Sequence, residues 1–194
     1  MTDDRRFDQN KMHALIGPER EARWQPSEFL KRLSLQPGQS VLDLGSGPGL
    51  WTLPLAEIVS ADGVVWALDV SQDMLDLLMQ RNPPTQVRTL QAELPQIELP
   101  TGSLDYIWAA FVLHEVTPLE EMVRQMRRLL NENGVLAVLD WSPSAEGGAG
   151  PPSAHRISAA TLSKQLLDAG FASVRQTWQD TETYLLEALV SANE

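Results

Sequence analysis

Short apolar runs alternate with amphipathic segments along most of the chain, and the alternation predicts strands and helices in turn. Val41-Leu42-Asp43-Leu44 is the near-continuous apolar run of a strand buried on both faces. Val64-Val65-Trp66-Ala67-Leu68, Val87–Leu90, Leu104–Ala110 and Val135–Asp140 repeat it. Between them, Leu50–Val59 reads as a helix that Pro54 should kink or shorten. Ser71 caps a helix whose apolar residues Met74, Leu75, Leu77 and Leu78 carry it to about Arg81. Thr117-Pro118-Leu119-Glu120 reads as a capping box opening a further helix, which Asn133-Gly134 should end. Ser158 caps another, stopped by Gly170. Upstream, Gln25–Leu33 is a helical lead-in and Pro37-Gly38 the turn into the first strand. Phe171–Thr177 and Thr183–Val190, with Gln179-Asp180-Thr181-Glu182 between them, predict an antiparallel hairpin. Strands alternating with helices point to a doubly wound α/β sheet.

The first apolar run breaks into Gly45-Ser46-Gly47-Pro48-Gly49. Glycine at alternate positions permits positive φ and lets backbone approach a ligand, and a helix start beyond it presents free N–H groups. A dinucleotide fingerprint requires G-x-G-x-x-G, but position 50 is Leu and Asp43 stands inside the strand, so a pyrophosphate ligand is disfavoured. Asp69 ends the second apolar run twenty residues after Gly49, where a carboxylate at a strand tip can accept from both hydroxyls of a ribose.

These residues resemble motif I of the class I S-adenosylmethionine-dependent methyltransferases, whose pattern is an apolar run, Asp or Glu, then G-x-G-x-G. The resemblance spans roughly residues 12–190 and implies a single Rossmann-like domain with a seven-stranded, mostly parallel sheet and an antiparallel C-terminal hairpin. It implies S-adenosylmethionine as cofactor, bound by Asp43, Gly45, Ser46, Gly47, Gly49 and Asp69. Val70 and Met74 stand where a side chain covers an adenine face, and Met74 reads equally well as core. The adenine amino group falls to Gln91, Ala92 and Glu93; the family commonly has Asp-Ala there, so Gln91 is a departure, with its amide carbonyl or Glu93 as the remaining acceptor. Small Ala109 suits close approach to the sulfonium, and His114, just beyond that strand, is the candidate catalytic group. His13, Trp24, Trp141, His155 and Arg156 are candidates for the substrate, His13 and His155 being alternative bases. Glycine and proline crowd Ser142–Ser153, which reads as a mobile loop over the ligand edge.

Length and charge narrow the field further. With 194 residues the chain holds one α/β domain, read as 37–194, preceded by a helical extension or cap, 1–36. Net charge is −11, and residues 37–194 carry eight Lys and Arg against twenty Asp and Glu, which disfavours nucleic acid and leaves a small-molecule acceptor. No apolar run approaches the ~20 residues of a membrane span, and a cytoplasmic protein is expected. Absence of cysteine excludes disulfides and thiolate metal sites, and three scattered histidines predict no metal centre. Arg124, Arg127 and Arg128 read as a solvated helix face. The competing readings are a binding module without turnover and a nicotinamide-dependent oxidoreductase; the oligomeric state is not legible.

Overall fold

The computed structural model describes residues 15–143 and 150–191. They form two compact units, one before and one after residue 94, and their strands make up a seven-stranded, mostly parallel sheet, the predicted fold class.

The N-terminal unit contains α1 (Pro18–Trp24), α2 (Pro26–Leu30), β1 (Ser40–Leu44), α3 (Thr52–Val59), β2 (Val64–Asp69), α4 (Gln72–Gln80) and β3 (Val87–Gln91). Strand β2 lies between β1 and β3 and is parallel to both, in a register that sets Leu44 opposite Leu68 and Asp69 opposite Gln91. All three strands therefore end at one level, where the glycine loop leaves β1. Val41, Leu42 and Leu44 are fully buried, which accounts for the unbroken apolar run. Helix α3 is regular from Thr52, so Pro54 occupies its first turn, where a missing N–H removes no helical hydrogen bond. Trp24, Phe29 and Trp51 pack with ring centroids 5.7–6.4 Å apart and fasten the lead-in helices to the start of α3.

The C-terminal unit contains β4 (Leu104–Ala110), α5 (Leu119–Leu129), β5 (Leu130–Trp141), α6 (Ala159–Asp168), β6 (Ser173–Gln179) and β7 (Thr183–Leu189). Its strands run β4-β5-β7-β6; β4 and β5 are parallel, and β7 is antiparallel to both of its neighbours. Ser158 accepts from the Thr161 N–H at 3.1 Å and caps α6 as expected.

Three local expectations are corrected in this unit. The Thr117 capping box is not formed: Pro118 is extended (φ −79°, ψ 132°) and is itself the N-cap, so α5 starts one residue late and no side chain caps it. Strand β5 begins at Leu130, with no turn before Val135. Leu104 faces Leu130 and Tyr106 faces Val135, so residues 131–134 bulge out of the ladder, and Asn131 donates to Asp105 at 2.8 Å within the bulge. Arg128 is no solvated side chain, since it donates to the carbonyls of Ile97 and Leu99 at 3.0 Å and pins the segment before β4.

Candidate functional site

The glycine loop of the N-terminal unit turns sharply, with φ of +70° at Gly45, +52° at Gly47 and +86° at Gly49. Gly49 is also closed by its surroundings. A Cβ on Gly49 would come within 2.4 Å of Leu78 Cδ1 in α4, so a side chain there requires Leu78 to move. Asp69 faces the loop from the tip of β2. One of its oxygens accepts from the Gly47 N–H at 2.8 Å, the other from the Ser71 N–H at 2.9 Å. Each carboxylate oxygen keeps a further lone pair. Burial raises the Asp69 pKa, while hydrogen bonds from Ser71, Gly47 and Val70 oppose the rise. The Ser46 hydroxyl lies in the loop, buried and without a protein partner among the described residues.

Asp43, in the last turn of sheet before the loop, is 1 % exposed and accepts from the Thr52 hydroxyl at 2.6 Å. Burial pushes its pKa up to about 7 against that hydrogen bond, and the charge of Asp69 adds to the rise. Asp43 thus ties β1 to the first turn of α3 across the loop. A buried carboxyl, Asp43, and a half-buried one, Asp69, stand around a set of left-handed glycines, an arrangement that suits a ligand rich in hydroxyls and positive charge.

In the C-terminal unit, a second group of polar residues gathers where β4 and β5 end. His114, 6 % exposed, lies in a 3-10 turn after β4, and its Nδ1 is 2.7 Å from Asp140 Oδ1. Asp140 is fully buried; the same oxygen accepts from the Trp141 N–H at 2.8 Å, and Oδ2 has no protein partner among the described residues. Burial lowers the His114 pKa, but the hydrogen bond and charge of Asp140, with Glu115, outweigh it against Arg156, so the net direction is up. An imidazole held by Nδ1–H against a carboxylate offers Nε2 as a base. Beside the pair, Phe111 and Trp141 pack at 4.9 Å, with Phe111 in the left-handed region at φ +58°. The Arg156 guanidinium sits over the Trp141 ring and donates to the carbonyls of Pro151 and Ser142.

The sequence-predicted residues are brought together to different degrees. Asp43, Gly45, Ser46, Gly47, Gly49 and Asp69 form one cluster. Val70 is exposed beside it, whereas Met74 is buried in α4 and serves the core. Gln91 is exposed at the end of β3; its Nε2 donates to the Val70 carbonyl at 3.2 Å, which leaves Oε1 as an acceptor. Ala92 and Glu93 follow it outside the strand. Ala109 is fully buried within β4, opposite Val138. Trp24 belongs to the aromatic cluster of the lead-in. His155 is half-buried in a short 3-10 turn next to Arg156. His13 and residues 144–149 of the predicted loop lie outside the described residues. Asp140, Phe111 and Arg81 were missed; Asp140 alone left a trace, as the polar end of an apolar strand.

A family described as "Methyltransferase domain" matches residues 41–134, from β1 into β5. The demethylmenaquinone methyltransferase of Lysinibacillus sphaericus is 28% identical over 136 residues, covering 70% of this chain and 58% of its own length. That of Geobacillus sp. strain WCH70 is 29% identical over 136 residues, covering 69% and 58%. The chain thus spans less than two thirds of the length of these relatives. Among solved structures, a SAM dependent methyltransferase from Aquifex aeolicus superposes with a TM-score of 0.86 at 28% identity, over 96% of this chain and all of that one. The glycine loop, the orphaned Ser46 hydroxyl and the Asp69 carboxylate fit an adenosyl ligand of this kind. The chain thus matches a methyltransferase domain over residues 41–134 and is similar over almost its whole length to a solved SAM dependent methyltransferase, with S-adenosylmethionine as its cofactor.

Proposed function

We propose that the chain transfers a methyl group from S-adenosylmethionine to a small-molecule acceptor by in-line displacement. The observation that carries this reading is the Asp69 carboxylate at the β2 tip, joined to the glycine loop through the Gly47 N–H. From there, the remaining lone pairs of Asp69 take the ribose hydroxyls, the Ser46 hydroxyl holds the methionyl part, and Val70 and Gln91 take the adenine. When bound, S-adenosylmethionine supplies a methyl group already activated on sulfur, so the protein's part is alignment and exclusion of water. His114 receives the acceptor's proton on Nε2, which lies 3.7 Å from Glu115 Oε1, and Asp140 fixes the tautomer that leaves Nε2 unprotonated. Phe111 and Trp141 offer aromatic surface to a flat, largely apolar acceptor, and the relatives named for demethylmenaquinone favour a ring of that type. A net charge of −11 speaks against a nucleic-acid acceptor.

Calorimetric titration with S-adenosylmethionine and with NADH, followed by assay of labelled methyl transfer to a panel of hydroxylated aromatics and quinols, tests the proposal. Binding of S-adenosylmethionine alone, with S-adenosylhomocysteine released in the presence of an acceptor, is the expected result. Binding without release for any acceptor would return the chain to a binding module, and a preference for NADH would overturn the reading.

A further inference from the structure

The glycine loop is held from two sides. On one side the Asp69 carboxylate accepts from Gly47 N–H. On the other, Arg81, immediately beyond α4, donates from Nη1 to the carbonyls of both Pro48 and Gly49, each at 3.0 Å. Between these holds the loop lies against Leu78, which a side chain at position 49 would have to displace. An amide pulled one way and two carbonyls pulled the other fix the orientation of successive peptide planes. That orientation decides how the loop backbone and the buried, unpartnered Ser46 hydroxyl stand toward a ligand. Three left-handed residues in five cost conformational entropy and are not a shape that the chain holds unaided. A guanidinium bonded to two carbonyls supplies charge-assisted hydrogen bonds at the point where the loop would otherwise be free to turn.

We propose that Arg81 is a positioning residue for the cofactor site, presetting the glycine loop in its binding shape before any ligand arrives. The inference rests on the assignment of this loop to S-adenosylmethionine. It adds that affinity for the cofactor is set in part by a side chain more than thirty residues away in sequence that need not touch the cofactor.

The role separates from simple structural support through charge, shape and local exchange. Arg81→Gln and Arg81→Lys are compared with Arg88→Gln, which removes the same charge from a guanidinium stacked on Trp66 in the same unit. For each, affinities for S-adenosylmethionine and for S-adenosylhomocysteine are measured calorimetrically, and hydrogen exchange of the Gly47 and Gly49 amides is followed without ligand. Arg81→Gln is expected to weaken both ligands alike, by ~10-fold, the scale of losing one charge-assisted hydrogen bond. Arg81→Lys recovers part of the loss, Arg88→Gln leaves both affinities unchanged, and the two amides exchange faster in Arg81→Gln while the melting transition stays cooperative. Equal affinities in a folded Arg81→Gln would overturn the proposal. So would a change confined to the positively charged ligand, which would mark a field effect, or unchanged exchange at Gly47 and Gly49. If the unaltered protein binds neither ligand, the cofactor assignment fails, and the exchange measurement still decides whether Arg81 holds the loop.

Discussion

Asp69 serves several hydrogen bonds with one carboxylate, and its replacement has two separable effects. Asp69→Ala strips the Gly47 and Ser71 amides of their acceptor, so the free protein should melt lower. It also removes the proposed ribose contact, and binding of S-adenosylmethionine should weaken by ~1.5–3 kcal/mol, the range for hydrogen bonds to a charged group. An unchanged calorimetric Kd in a folded variant would contradict the ribose role. At the other centre, Asp140 is what keeps a buried imidazole readily protonated. In Asp140→Asn, burial and Arg156 face only Glu115, and the His114 midpoint followed by NMR should fall. An unmoved midpoint would show that the Asp140 carboxylate does not control the proton.

Among elements, the join of β1, the glycine loop and α4 has the least tolerance. Gly49→Ala demands both a left-handed alanine and displacement of Leu78, and should destabilise the protein by ~2–4 kcal/mol in denaturant titrations. A loss below about 0.5 kcal/mol would mean that the loop can rest elsewhere. This join was readable in the sequence because its signals are local: an apolar run, alternating glycines and a carboxylate at the next strand tip. Asp140 with His114, and Arg81 with the loop, were not, because 26 and more than 30 residues separate the partners and no local pattern encodes such pairs. The start of β5 misled for a related reason. Asn133-Gly134 has the composition of a turn, and only the pairing of Leu130 with Leu104 draws the preceding residues into the strand. Thr117 misled because a capping box is a sequence pattern, whereas the extended Pro118 decides where α5 begins.

Among the described residues, burial lowers the Arg20 pKa to about 10, whereas the shifted acids and His114 move upward. Asp43, Asp69, Glu187 and His114 all have native pKa values above their ordinary ones. The native state therefore binds protons more tightly than the unfolded chain, and the stability these groups lend is present at low pH and lost as pH rises through the native values. For Asp43 the window runs from 3.8 to about 7. The urea midpoint should be higher at about pH 5.5 than at about pH 8, and Asp43→Asn should flatten that difference. A midpoint that rises toward pH 8 would show that ion pairs, not buried acids, dominate.

The placement of β7 reaches beyond equilibrium. It is made after β6 but lies between β6 and β5, so β6 has no strand to join until residues 183–189 have been synthesised. On the ribosome, a chain already through α6 must keep β6 unpaired while the last strand emerges. A nascent polypeptide stalled before Thr183 should therefore remain sensitive to protease in this half, whereas one with residues 183–189 clear of the ribosome should resist.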